Sequence, residues 1–151
     1  MARIAVLALD IGKRRVGVAG CDGTGLIATG LATYKRHRNS FSADVAFLSD
    51  IVRERAVDTL VVGLPYAMNG ELGPQAQQTQ RYAERLSRAL SLPIIYVDER
   101  LSSVQAEELL RAEGVPLSQN KGLIDRKAAA IILQRWLDSE RSQRRADGEW
   151  A

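Results

Sequence analysis

Apolar residues run unbroken through Ile4-Ala5-Val6-Leu7-Ala8-Leu9 and stop at Asp10. A run that is apolar at both odd and even positions suits a central strand covered by helices on both faces, so residues 3 to 9 are predicted to form one. Asp10-Ile11-Gly12-Lys13 is a polar, glycine-bearing turn, and Arg15-Val16-Gly17-Val18-Ala19 resumes extended chain, which makes a β-hairpin. Gly23, Gly25 and Gly30 punctuate a third strand over 26 to 34, and a basic turn, Lys35-Arg36-His37-Arg38, follows it.

The period then lengthens. Val45, Leu48, Ile51 and Val52 recur at helical spacing, with Ser42 or Asp44 as the candidate cap. Thr59-Leu60-Val61-Val62-Gly63 reads as a short buried strand. A loop from 64 to 73 ends at Pro74, a favoured first helical residue. The helix it opens, running to about 91, turns Thr79, Ala83, Leu86 and Leu90 inward. Ile94-Ile95-Tyr96-Val97 is a fifth strand. Ser102 with Gln105 three residues on reads as a capping box for a helix from Ser103, which Gly114-Val115-Pro116 breaks. A last helix is expected over 123 to 140. Arg141, Arg144, Arg145 and Gly148 show no apolar period, so 1–140 is read as one domain and 141–151 as a flexible basic tail, with Trp150 as a possible contact in it. This order predicts an α/β fold: a mixed five-stranded sheet, three antiparallel strands then parallel β-α-β units, with helices on both faces.

Composition narrows the partners. At 151 residues, 46% hydrophobic and 26% charged, the chain has the balance of one ordinary globular domain. Aromatic content of 5% means that any nucleic-acid contact rests on charge and backbone shape more than on base stacking. A net charge of +3 permits a phosphate-binding surface without requiring one. The single cysteine, Cys21, cannot form an internal disulfide and suits a reducing cytoplasm. The N-terminal apolar run is too short for a membrane span and lacks a small-residue cleavage site, so a cytoplasmic protein without a membrane partner is expected.

Three acids stand where apolar neighbours make them conspicuous. Asp10 ends the first strand on the face of Ile4, Val6 and Ala8. Glu99, in Asp98-Glu99-Arg100, follows the fifth strand at the edge where open α/β sheets place their sites. Asp125 shares a helical stripe with Ala129, Ile132 and Trp136. Each has a plain alternative: a turn-opening aspartate, charge favouring a helix start, a cap. Brought together, they would need divalent cations, and hard Mg²⁺ or Mn²⁺ takes carboxylate oxygens while leaving places for water and phosphate. Two such ions about 4 Å apart can drive an in-line displacement at phosphorus. The lone His37 excludes a histidine-rich zinc site, one cysteine excludes a thiolate site, and no GxxxxGK[ST] loop is present.

Four segments carry a family likeness: Leu9-Asp10-Ile11-Gly12-Lys13-Arg14-Arg15-Val16-Gly17-Val18-Ala19; Val62-Gly63-Leu64-Pro65 with Asn69-Gly70 and Gly73-Pro74; Asp98-Glu99-Arg100-Leu101-Ser102; and Ile124-Asp125-Arg126-Lys127-Ala128-Ala129. Over residues 3 to 138 the chain resembles the YqgF family, whose members are described as Holliday junction resolvases or pre-16S rRNA nucleases with an RNase H-like fold. The resemblance implies that Asp10, Glu99 and Asp125 are catalytic and metal-binding. The chain departs from the family pattern at Cys21, where a serine is usual before the aspartate, and at Ser102-Ser103, where a threonine pair is usual.

Lys13, Arg14, Arg15 and Arg100 adjoin these acids and are candidate phosphate contacts, with ordinary solvated charge as the alternative. Asn69 is another, in the loop 64 to 73, which is read either as closing on nucleic acid or as a plain connection. The expectation is a Mg²⁺- or Mn²⁺-dependent nuclease acting on precursor rRNA or branched DNA, as a monomer or weak homodimer. A binding factor in ribosome maturation or transcription whose acids no longer cut is the main rival. An ATP-using kinase of the actin-like class shares the opening Asp-x-Gly hairpin but needs a second lobe, for which 151 residues leave no room.

Overall fold

Five strands and four helices follow one another in the order read from the periodicity. The computed structural model describes residues 4–37, 39–67 and 69–146, with side chains to 143. Its strands are β1 (Val6–Ile11), β2 (Arg15–Cys21), β3 (Ala28–Lys35), β4 (Thr59–Leu64) and β5 (Ile94–Asp98). The helices are α1 (Phe41–Arg55), α2 (Pro74–Leu90), α3 (Ser102–Ala112) and α4 (Lys121–Ala146), with a 3-10 turn at Leu117–Gln119. The sheet order is β3-β2-β1-β4-β5, with β1–β2 and β2–β3 antiparallel and β1–β4 and β4–β5 parallel. The mixed five-stranded sheet of the sequence reading is therefore correct.

β1 lies at the centre, and alternation divides its side chains between two cores. Leu7, Leu9 and Ile11 join Val16, Val18, Leu48, Tyr82, Ala83 and Leu86, a core closed by α1 and α2. Val6 and Ala8 join Ala19, Val61, Ala129, Ile132 and Leu133, a core closed by α4. Parallel β4 and β5 end at the same edge as β1, so the chain delivers three strand ends to one rim.

Helix starts are where sequence reading fails. Neither Ser42 nor Asp44 caps α1, which begins at Phe41 after Ser40 with no side-chain cap. Asp44 is instead 2% exposed and accepts from the His37 backbone N–H at 3.1 Å, the His37 ring nitrogen at 3.0 Å and the Tyr82 hydroxyl at 2.8 Å. The Ser102–Gln105 capping box does not form either. α3 starts at Ser102 itself, after Leu101 at φ 67°, and the Ser102 hydroxyl turns to Glu99 at 3.4 Å. Gln105 accepts from Arg135 at 2.6 Å instead of capping. The last helix runs on to Ala146, so the tail expected from 141 is helical in its first part, where Arg141 pairs with Asp138 one turn back. Arg38, Gly148 and Trp150 lie outside the described residues.

Asp44 ties α1 to α2 and to the segment after β3, so removing it takes one of two partners from the Tyr82 hydroxyl and the acceptor from the His37 amide. Asp44→Ala is expected to lower the unfolding free energy by about 2–3 kcal/mol, measured from the urea midpoint. An unchanged midpoint would show that the network contributes nothing to stability.

Candidate active site

Asp10 occupies the penultimate position of β1, opposite Gly17 of β2. Glu99 follows β5 directly, and its backbone N–H donates to Leu64 O at 3.1 Å, which holds it against the end of β4. Asp125 is on α4, past the helix's first turn, so it is not a cap. Acids 89 and 26 residues apart in the chain thus reach one rim because the parallel strands end there and α4 crosses over them.

Two glycines make this approach possible. A Cβ on Gly17 would lie 2.0 Å from the backbone oxygen of Asp125, so α4 descends onto β2 only because that position is bare. A Cβ on Gly63 would lie 2.8 Å from Glu99 Cβ and 2.6 Å from Ile132 Cδ1, so the Glu99 side chain occupies the space that any other residue there would fill.

Asp10, Glu99 and Asp125 line one cleft of about 570 Å³, together with Gly12, Tyr66 and Ser102. Glu99 is 8% exposed, and burial first, then the charge of Asp10, push its carboxyl up to about 9. Burial likewise raises Asp10, helped by the charge of Asp125 and opposed by its hydrogen bond with Glu99. Burial and the mutual repulsion of the two carboxylates thus both oppose ionising Asp10 and Glu99 together. The third acid is balanced differently: Arg15 Nε donates to Asp125 Oδ2 at 2.6 Å.

The donors are all carboxylate oxygens, which suits a hard divalent cation. Among the described residues no three His, Cys, Asp or Glu side chains are yet gathered closely enough to hold an ion. Asp10, Glu99 and Asp125 are the set that would have to be drawn in. The Arg15–Asp125 pair is the contact that a cation there would replace.

The other candidate contacts divide. Lys13 and Arg14 are exposed on the β1–β2 turn and line a groove with Arg15 and Asp125. Arg100 does not reach out. Its Nε lies 2.8 Å and its Nη2 2.6 Å from Asp98 Oδ2, and it holds that carboxyl below the usual range. Asn69 serves its own loop, accepting from the Glu71 backbone N–H at 3.0 Å, while Ala67 N–H donates to Glu71 O at 2.9 Å. Cys21 and Asp22 lie at the opposite end of β2, about 20 Å from the rim by strand rise. There Asp22 accepts from the Thr24 N–H at 3.1 Å.

Sequence reading gave no role to Gly17, Gly63 or Arg135. Arg135 donates to Asp98 O at 3.3 Å, and its charge opposes the rise of Glu99. Glycine inside a β-branched strand was the signal for the first two, since it weakens a strand unless something must come close. Nothing local marks Arg135.

Residues 4–139 match the family model RuvX, described as Holliday junction resolvase. A Synechococcus elongatus protein named "Putative pre-16S rRNA nuclease" is 59% identical over 145 residues, covering 96% of each chain. A Trichormus variabilis protein of the same name is 61% identical over 139 residues, covering 92% of this chain and 91% of its own. Thermus thermophilus RuvC, solved in complex with a Holliday junction substrate, is 14% identical and superposes with a TM-score of 0.52 over 91% of this chain and 95% of that one. That likeness supports the RNase H-like fold.

Two outcomes follow from the geometry. Gly17→Ala and Gly63→Ala should each cost about 1–3 kcal/mol in chemical unfolding and displace Asp125 and Glu99 respectively. Wild-type stability in both would contradict the close approach. The metal-free folded protein keeps the Glu99 proton between the ordinary carboxylate pKa of 4.5 and about 9, where the unfolded chain has lost it. Stability should therefore fall as pH rises through that window, and Glu99→Gln should flatten the fall. Unfolding midpoints across pH 4–10 check this.

Proposed function

The chain belongs to the RuvX family, the YqgF family that its four motifs resemble, and on that premise we propose that it cleaves precursor 16S rRNA. It is a nuclease, and hydrolysis of phosphodiester bonds in structured nucleic acid is the reaction. The observation that carries this reading is the convergence of Asp10, Glu99 and Asp125 in one cleft beside a basic turn. Precursor 16S rRNA is favoured by the names of relatives about 60% identical over nearly the whole chain. Branched DNA is the second reading, favoured by the description of the family.

Mg²⁺ or Mn²⁺, held by Asp10, Glu99 and Asp125, would supply an activated water and a counter-charge for the phosphoryl oxygens. The protein's own part is to present oxygens and manage charge. Asp10 and Glu99 would hold the ion as two ionised carboxylates, its charge offsetting the burial and repulsion that oppose their ionisation. Gly63 and the Leu64 carbonyl keep Glu99 from swinging away. Arg15 lies between Asp125 and the Lys13–Arg14 groove, so it can release the carboxylate and meet a phosphate with its remaining donors. Lys13 and Arg14 neutralise phosphates flanking the cut.

One preparation tests the reading. Wild-type protein with Mg²⁺ or Mn²⁺ should cut a precursor 16S rRNA fragment, and Asp10→Asn should lose at least about a thousandfold of that rate while still folding and binding. A four-way DNA junction in the same assay separates the two substrates. Cleavage by Asp10→Asn at the wild-type rate would remove the mechanism. Binding without cutting, across metals, would leave a nucleic-acid-binding factor.

A further inference from the structure

On the far side of the β1–β2 turn from Asp125 lies a second cleft, of about 240 Å³, whose charged lining residues are Lys13, Arg36 and Arg81. Gln75 and Gln78, from the start of α2, complete its polar wall. It is continuous with the acidic cleft, since Ile11, Gly12 and Gln75 border both. Among the described residues no carboxylate pairs with Lys13, Arg36 or Arg81, in contrast to Arg15 and Arg100.

Arg36 is held ready. Its backbone N–H donates to Arg14 O at 2.8 Å, its Nη1 donates to Gly12 O at 2.9 Å, and its guanidinium lies 3.9 Å over the Tyr82 ring. Tyr82 is itself fixed by the buried Asp44. A guanidinium so ordered loses little freedom when it binds an anion, and most of its five N–H donors remain for one. The first turn of α2 adds the positive end of its dipole.

We propose that the Lys13–Arg36–Arg81 cleft is a phosphate-binding subsite, which takes a backbone phosphate of the nucleic-acid strand beside the one being cut. The inference rests on the nuclease reading of the acidic cleft and extends it. The strand passes from Asp10 across Gly12 and Gln75, so register along the backbone is set by a rigid cation, Arg36, at the first position past β3. Sequence is not read there, because phosphate contacts position a strand without distinguishing bases.

The test is binding without cleavage. A labelled precursor 16S rRNA fragment is titrated in EDTA by fluorescence anisotropy over a range of salt, with wild type, Arg81→Gln, Arg36→Gln and, as a control of equal charge on α3, Arg111→Gln. Arg81→Gln and Arg36→Gln should each weaken binding roughly tenfold at low salt and reduce the slope of log K against log salt by about one phosphate contact. Arg111→Gln should leave the slope unchanged. Circular dichroism checks that Arg36→Gln still folds; exposed Arg81 keeps the test valid if it does not. Equal slopes for wild type and Arg81→Gln would overturn the subsite while leaving cleavage by wild type untouched. Equal losses in Arg111→Gln would overturn it as mere net charge. Inorganic phosphate binding as tightly as the RNA fragment would replace the strand with a free anion. Failure of wild type to bind any nucleic acid would sink both readings together.

Discussion

Two carboxyl groups pressed together at the rim of the sheet govern this molecule. Asp10 and Glu99 are close enough to share a proton, and burial makes their charge expensive to express. A fold keeps such an arrangement only when the surroundings over-determine it, and here they do. Asp10 is held by its pairing with Gly17 of β2, one residue past the last β1–β4 pair at Leu9, and Glu99 by its backbone bond to β4 and the bare Gly63 beneath it. Left unpaired, such a cluster costs stability, because two buried carboxylates repel each other.

Charge elsewhere on the rim is divided with economy. Arg15 neutralises Asp125 and Arg100 neutralises Asp98, so two of the arginines nearest the acids are already satisfied. Lys13 on the β1–β2 turn and Arg36 just past β3, which among the described residues pair with no carboxylate, stand beside them. The rim therefore grades from acidic to balanced to basic over a short distance. A polyanion approaching it meets attraction first and the carboxylates last, which is the order a phosphodiester-cutting site requires.

The buried Asp44 network gives that grading its rigidity. From Asp44 the hydrogen bonds run to Tyr82 and on to Tyr34 at 3.0 Å, and the Tyr82 ring carries Arg36, which in turn holds the Gly12 carbonyl. The helical core and the β1–β2 turn are thereby joined by side chains from β3, α1 and α2 and by Arg36. No helix among the described residues is long and apolar enough to cross a membrane.

Much of this was legible before any coordinates. The unbroken apolar run that ends at Asp10 announced a central strand, the spacing of Val45, Leu48 and Ile51 announced a helix, and an aspartate on the apolar stripe of α4 was anomalous enough to be singled out. These are local signals, because period and polarity depend only on near neighbours. Helix starts at Phe41 and Ser102 were misread, since Ser and Asp bond equally well to a cap or to a distant partner, and only the packed chain decides which. So the amino-acid order alone determined the strands, the helices and the three acids. Tertiary structure alone decided that Arg15 would reach Asp125 across 110 residues, that Gly17 and Gly63 would be gaps filled by neighbours, and that Asp44 would anchor Arg36. Contacts of that kind are set by where elements cross, and no window along the chain contains them.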